Sequence, residues 1–417
     1  MEKLVLDSSS RQQSRDMRRK TDEANRLIKV SNPRPDVDDR TRQQRDAALA
    51  TLSSSMMTVP GRRPLTLRIV WDGSSEVWTA VEALGLRRLV SSVDVIADVD
   101  RFVEYNSIPC DMSFLADDNW TAVRSVSVRS VRWSGAPVTA SAALERVTHL
   151  HVEKSELGGA FADLASWPAL DTLILEDCRT VPTNVSRQCL WSPGFPLALP
   201  THAGLRTLRI ELLNLPERVD LGGCAGLEEV DIGSCRGLKT LVMPPSASGV
   251  VLSNCLDLER VEGLDRGDSS LESLDVFNCG RLRTGLERIT APLVGLSVAD
   301  CRSIVTIVVL STERLEAVEV SDCSRLALLG IIGSECGMLE SHCVVSCDSL
   351  AELCLGRMCP QLCILQAQTG KSLKTFRLPD VCPELEEVDV DREDVPKGRG
   401  DGAAALRISL TFPPSAI

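Results

Sequence analysis

The sequence predicts an α/β solenoid in which short parallel strands stack on one another and helix is scarce. A nine-residue frame of three spaced aliphatic residues and a closing cysteine recurs from the middle of the chain onward. Its closing cysteines from Cys235 to Cys347 are 20, 24, 22, 22 and 24 residues apart. Only 3% of the residues are aromatic, although 43% are hydrophobic. A core built from one size class of aliphatic side chain suits a stack of equivalent layers.

Residues 1–60 are expected to form a polar arm that is partly disordered or helical. They contain few apolar and many charged residues, which is typical of extended or disordered segments. Residues 1–50 carry 12 Lys and Arg against 9 Asp and Glu. A helix over 37–57 is the ordered alternative, with Asp38 and Asp39 favourably placed near its start.

Residues 61–120 are expected to form an N-terminal cap with degenerate repeats. The segments 65–71 and 91–99 alternate apolar and polar residues as strands do, and 74–86 has the spacing of an amphipathic helix. A cap is needed because the first layer of a solenoid would otherwise expose an open sheet edge.

Residues 121–412 are expected to form the solenoid itself. In the frame, Val318 and Val320 flank the polar Glu319, which is the alternation of a strand with one buried face. Complete frames occupy 170–178, 227–235, 271–279, 293–301, 315–323 and 339–347. Partial frames, which lack the cysteine or the first half, occupy 123–131, 147–152, 205–213, 249–255, 373–381 and 385–390.

A second aliphatic run follows each closing cysteine from Cys235 onward and leaves only about eight residues before the next frame. That space is too short for a long helix, so the convex side is expected to consist mostly of short extended or 3-10 segments. Residues 392–405 read as a polar, glycine-rich loop. The alternation over 405–412 then predicts a C-terminal capping strand.

This frame, its spacing and its cysteine position resemble the leucine-rich-repeat superfamily, particularly the cysteine-containing class of ubiquitin-ligase substrate receptors and of trypanosomatid repeat proteins. The resemblance covers about residues 120–412 and is clearest over 224–350. It implies a leucine-rich-repeat horseshoe with a parallel concave sheet, and it implies that partners bind on that sheet. It does not name a partner.

The sequence offers few groups for catalysis, so we expect no enzymatic activity and no cofactor. The four histidines are His149, His151, His202 and His342. His342 occupies an aliphatic frame position and is predicted to lie in the core. His149 and His151 flank Leu150 and are predicted to lie on the exposed strand face, without a paired carboxylate or nucleophile in a defined motif.

Cysteine spacing could indicate zinc, since Cys343 and Cys347 are four residues apart, as are Cys359 and Cys363. We expect no metal, because Cys347 belongs to the inward row of cysteines whereas Cys343 points to the opposite strand face. No glycine-rich nucleotide-binding motif occurs. The tripeptides GKS at 370–372 and RGD at 399–401 are interpreted as a turn and a chance match.

The net charge of −12 and the pI near 5.0 argue against a nucleic-acid partner. No apolar run reaches the roughly 18 residues of a membrane span, and the first residues do not resemble a secretory signal. The 16 cysteines are therefore expected to be reduced thiols in an intracellular protein, cytoplasmic rather than nuclear. The sequence leaves the oligomeric state open.

The repeat register predicts which side chains lie on the exposed face of the sheet. The middle position is assigned to Arg209, Asp231, Asp275, Ser297, Glu319, Cys343, Gln366, Arg377 and Asp389. The flanking position is assigned to Glu211, Gly233, Ser253, Phe277, Ala299, Ser321 and Val345. The predicted partner-binding residues are Arg209, Glu211, Glu229, Asp231, Ser273, Asp275, Phe277, Ser297, Glu319 and Ser321.

This face is mainly acidic and small, with Phe277 as its aromatic anchor. A basic segment of another protein would suit Asp231, Asp275 and Glu319 as counter-charges. The alternative is that these acids only keep the sheet soluble. Asp177, Asp300 and Asp322, directly before frame cysteines, are interpreted as turn residues that bond to backbone amides.

Together these observations predict a non-catalytic protein-binding scaffold. The resemblance leaves a substrate-recognition subunit of a ubiquitin ligase as an alternative, although residues 62–120 do not obviously supply the helical adaptor-binding module of such receptors. A fixed component of a large assembly, with residues 1–60 as a threading arm, is the other alternative.

Overall fold

The chain folds as a solenoid of parallel β-strands with very little helix. A computed structural model describes residues 65–71, 90–97, 108–111, 122–134, 144–157, 167–180, 204–333, 336–369, 372–377 and 379–390. Helix within these ranges is limited to 3-10 turns such as Leu144–Arg146. The chain divides into two compact units, which are Met1–Leu173 with Asp177–Cys189, and Ile174–Glu176 with Leu190–Ile417.

The first unit contains two sets of parallel strands. One set is β1 (Leu65–Trp71), β2 (Val90–Ala97), β4 (Ser125–Arg129) and β6 (His149–Glu153). The other is β3 (Ile108–Asp111), β5 (Val131–Ser134), β7 (Glu156–Leu157) and β9 (Arg179–Thr180). β1 and β2 confirm the strands predicted near 65–71 and 91–99, whereas the predicted helix over 74–86 lies outside the described residues.

The second unit is built around a long parallel sheet. Its nine described strands after β8 (Thr172–Glu176) are β10 (Thr207–Glu211), β12 (Glu229–Gly233), β14 (Gly249–Ser253), β16 (Ser273–Phe277), β17 (Gly295–Ala299), β19 (Ala317–Ser321), β21 (Ser341–Val345), β23 (Ile364–Gln368) and β25 (Glu387–Val390). Each pairs in register with the next, so equivalent residues of successive turns stand side by side.

The opposite wall of the second unit is also strand. A three-stranded sheet contains β11 (Arg218–Asp220), β13 (Thr240–Val242) and β15 (Arg260–Glu262). A four-stranded sheet contains β18 (Thr306–Val309), β20 (Leu328–Ile331), β22 (Glu352–Cys354) and β24 (Thr375–Arg377). The prediction of short extended segments is confirmed here. The helical component of an α/β class is not seen among the described residues beyond 3-10 turns.

One frame was assigned to the wrong sheet. The segment 373–381 was predicted to supply a strand of the long sheet, with Arg377 on its exposed face. Arg377 instead pairs with Cys354 in the four-stranded sheet, and β23 supplies the strand of the long sheet in this turn. The error arose because no cysteine closes that frame, and both walls of the solenoid alternate apolar and polar residues.

The core of the second unit consists of stacked aliphatic rows. In the long sheet, the second and fourth residues of each strand from β10 to β23 point inward, as Val318 and Val320 do in β19, and both of these are at most 1% exposed. Val298 and Val344 lie beside Val320 in the neighbouring strands and are also buried. Burying one such side chain contributes about 1.5–3 kcal/mol, so the stack of rows supplies most of the stability of this unit.

The cysteines that follow the strands form a second row, as predicted. Cys235, Cys255, Cys279, Cys301, Cys323 and Cys347 are free and buried. Each thiol contacts a strand carbonyl of the preceding turn, as where Cys255 Sγ lies 3.4 Å from the carbonyl oxygen of Ile232. Burial raises the pKa of Cys301 to about 11, so this thiol stays protonated near neutral pH.

The residue before each of these cysteines adopts a left-handed backbone conformation. Ten described non-glycine residues have φ between 48° and 57°, and five of them are Asp or Asn, which tolerate this region better than other residues with a side chain. Asp177, Asp300 and Asp322 are among them, but among the described residues no hydrogen bond joins their carboxylates to backbone amides, so the structural role of these positions lies in the backbone conformation. Asn254 adds a side-chain contact, since its Oδ1 accepts a hydrogen bond of 2.9 Å from Asn278 Nδ2.

Leu212 also adopts the left-handed conformation, with φ 57°, although leucine does not favour it. Its side chain is 53% exposed. We expect Leu212→Asn to raise the free energy of unfolding by about 1 kcal/mol, because the left-handed conformation is costly for leucine and easier for asparagine. The reciprocal change Asn254→Leu should lower it by a similar amount. Urea denaturation of both variants checks this, and two changes of the same sign would contradict it.

His342 interrupts an otherwise aliphatic row. It lies between Val318 and Leu365, is fully buried, and neither ring nitrogen has a hydrogen-bond partner. The prediction of a core histidine is thus confirmed. Burial lowers its pKa from the ordinary 6.5 to about 4, because the charged ring would lose its hydration.

This lowered pKa makes the protein less stable in mild acid. The unfolded chain takes up a proton at His342 as the pH falls through 6.5, whereas the folded chain resists until about pH 4. The contribution of His342 to the free energy of unfolding should therefore fall by about 2 kcal/mol between pH 7 and pH 5. In His342→Leu that contribution should vanish. Urea denaturation at both pH values measures the free energy of unfolding. An equal change between pH 7 and pH 5 in the two proteins would refute the prediction.

Candidate functional site

The predicted binding residues lie on one face of the long sheet in the second unit. We call this surface the open face and define it by the first, third and fifth residues of the long-sheet strands β10, β12, β14, β16, β17, β19, β21 and β23. Residues two apart in a strand share a face, and the in-register pairing aligns them into columns across the strands. All ten predicted residues are on the open face, and all ten are exposed or half-buried.

The middle column contains Arg209, Asp231, Asp275 and Glu319, whereas Glu211 and Glu229 lie in the columns on either side of it. In register the middle column runs Arg209, Asp231, Val251, Asp275, Ser297, Glu319, Cys343 and Gln366, and the backbone register continues to Asp389. Val251 was missed from the sequence because its frame keeps only the second half. A usable signal existed, since Val251 precedes Cys255 by four residues, as Asp275 precedes Cys279.

Arg209 is the centre of an ion-pair cluster at one end of the column. Its guanidinium lies 3.2 Å from Glu211 and 3.5 Å from each of Glu176 and Asp231. The hydrogen bond to Glu211 raises the pKa of Arg209. Three carboxylates share one cation, so the cluster carries −3 + 1 = −2 charges. Asp231 is therefore engaged within the chain, unlike the free counter-charge that the sequence suggested.

Asp275 and Glu319 differ from Asp231. Neither belongs to an ion pair within 4.0 Å among the described residues. Asp275 is half-buried between Val251 and Ser297, and Glu319 is exposed beside Ser297 and Cys343. Both carboxylates thus stand on the open face with uncharged neighbours in their column.

An apolar pair lies beside these acids. Phe277 is 47% exposed and Val251 is 38% exposed. They belong to the adjacent strands β16 and β14 at positions two residues apart, which makes them diagonal neighbours on the open face. Small side chains surround Phe277, since Ser253 and Ala299 are its partners in register. The open face therefore combines unpaired carboxylates with exposed apolar side chains.

The remaining candidates from the sequence are the two histidines of β6 and the pair Cys343 and Cys347. His149 is exposed, with Nδ1 2.7 Å from Thr148 Oγ1, and His151 is half-buried in the same strand. Cys347 is buried with its thiol towards the Val320 carbonyl, whereas Cys343 contacts Gln366 on the open face. These two thiols lie on opposite sides of the sheet, as predicted.

Several predicted features lie outside the described residues. They are the arm at 1–60, His202, the loop at 392–405 with its RGD tripeptide, the capping strand at 405–412 and most of the GKS tripeptide. Within the described part of the chain, no helix is long and apolar enough to cross a membrane.

Comparison with known proteins finds no family model that matches the chain and no curated protein of similar sequence. The open face must therefore be interpreted from its own geometry.

The Arg209 cluster predicts a change in the titration of Asp231. Burial raises the pKa of Asp231, while the nearby positive charge of Arg209 lowers it. Arg209→Gln should therefore raise the pKa of Asp231 further, because the charged carboxylate loses its counter-charge. Carboxyl ¹³C chemical shifts followed over pH measure this, with Asp275 as an internal control. An unchanged titration of Asp231 would show that the ion pair does not persist in solution.

Proposed function

We propose that the protein is a non-catalytic, intracellular binding scaffold whose open face captures a basic segment of another protein. The observation that carries this proposal is the pair of unpaired carboxylates, Asp275 and Glu319, next to the exposed Val251 and Phe277. Opposite charges on a partner would supply the missing counter-ions, and apolar groups would cover the exposed side chains.

We also propose that the solenoid is a divergent leucine-rich-repeat horseshoe, with the open face as its concave side. The repeat of about 22 residues, the aliphatic frame with its closing cysteine, and the long parallel sheet support this relationship. The strand-built opposite wall is compatible with turns of this length, which leave no room for long helices.

The energetics favour a moderate, salt-sensitive affinity. Exposed ion pairs contribute roughly 0.2–1 kcal/mol each because water and salt screen them. Covering Phe277 and Val251 adds an apolar contribution that salt does not weaken. A basic segment that uses both features gains specificity from the position of its charges, and gains part of its affinity from apolar contact.

The proposal predicts that neutralising the two free carboxylates weakens binding of a basic peptide. Fluorescein-labelled octalysine should bind the Asp275→Asn, Glu319→Gln double variant several-fold more weakly than the original protein at low salt, since two ion pairs of roughly 0.5 kcal/mol each are lost. Fluorescence anisotropy at two salt concentrations measures both the affinity and its salt dependence.

Two further variants control this experiment. Glu352→Gln removes an exposed acid from β22 in the opposite wall, so binding should be unchanged. Arg209→Gln frees the carboxylates around it, so binding should become tighter. If Glu352→Gln weakened binding as much as the double variant, the peptide would be responding to overall charge, and the proposed site would be wrong.

A further inference from the structure

The spacing of the acids on the open face limits the shape of the segment that can bind there. In the middle column, Asp231, Asp275 and Glu319 occupy every second strand, with Val251 and Ser297 between them. Neighbouring strands lie about 4.8 Å apart, so successive acids are separated by about 9.6 Å along the column. A partner segment that lies across the strands therefore passes one carboxylate about every 9.6 Å.

Few regular peptide conformations present side chains on one side at this interval. A β-strand advances about 10 Å in three residues, but residues three apart point to opposite sides. An α-helix returns to the same side after seven residues and about 10.5 Å, so it falls about 2 Å out of step over two intervals. A polyproline II helix has three residues per turn and a rise of about 3.1 Å, so every third residue recurs on one side at about 9.3 Å.

The apolar side chains of the open face fit the same conformation. Val251 lies between Asp231 and Asp275 in the column, and Phe277 lies diagonally beside it. In a polyproline II segment whose cations face the column, the prolines between them point to either side, so one row of prolines passes beside Phe277 in the flanking position. Proline also fixes this conformation before binding, which reduces the conformational entropy lost on association.

We propose that the partner segment of the open face is a polyproline II helix with Lys or Arg at every third residue, lying across the strands along the middle column. This inference rests on the proposed function, since it identifies the conformation and charge pattern of the basic segment. The cation facing Asp231 meets the Arg209 cluster, which keeps a net charge of −2. The other two cations meet Asp275 and Glu319.

The test compares labelled peptides of identical composition. The peptide KPPKPPKPP has lysines at intervals of three residues, and KPKPPPPKP has the same three lysines at intervals of two and five. We expect the first to bind the full-length protein about tenfold more tightly, because only its lysines face the acids together. The preference should disappear in the Asp275→Asn, Glu319→Gln variant and persist in Glu352→Gln. An alanine-based helical peptide with lysine at every seventh residue should bind less well than KPPKPPKPP.

The possible results separate the two proposals. If both proline peptides bind equally and both depend on Asp275 and Glu319, the open face still captures basic segments, but the polyproline II register is overturned. Tighter binding of the helical peptide would overturn it in the same way. If neither octalysine nor any of these peptides binds, the proposed function itself fails.

Discussion

In-register stacking of parallel strands is the constraint on which this structure depends. Each residue of the long sheet in the second unit has its equivalents about 4.8 Å away in the turns on either side. A side chain at an inward position therefore packs against side chains at the same position in the neighbouring turns. This explains why the rows contain Leu, Val and Ile, and why a small thiol recurs just after the strand. The left-handed residue before each thiol sets the direction in which the chain leaves the strand.

The same constraint shapes the open face. Like charges directly beside one another in adjacent strands are destabilising, and the middle column avoids them. Val251 and Ser297 separate Asp231, Asp275 and Glu319, and Arg209 is the neighbour of Asp231 in this column towards the N-terminal side. The alternation of acids with Val251 and Ser297 thus avoids like charges in adjacent strands of the middle column between β12 and β19. Near Arg209 the carboxylates of Glu176 and Glu211 still repel that of Asp231, and the guanidinium offsets this repulsion.

Sequence periodicity was enough to predict the parallel solenoid, the cysteine row, the buried position of His342 and the residues of the open face. It worked at every frame that kept all its aliphatic positions and its closing cysteine, and also at 205–213 and 385–390, which lack the cysteine. It failed at 373–381, where no cysteine closes the frame and the strand belongs to the other wall. It also missed Val251, in a frame that lacks its first half. The ion pairs of Arg209 could not be predicted, because they depend on side-chain reach between strands rather than on register.

His342 makes one turn of the solenoid less stable in acid than the others. Each turn of a solenoid contacts only its two neighbours, so unfolding begins at the interface between turns that is least stable. β21 carries the sole histidine of the described inward rows in the long sheet of the second unit, and β23 and β25 lie beyond it. Acidification would therefore loosen the turns of β21, β23 and β25 before the turns that contain Asp231 and Asp275, so the open face is less resistant to acid at one end than at the other.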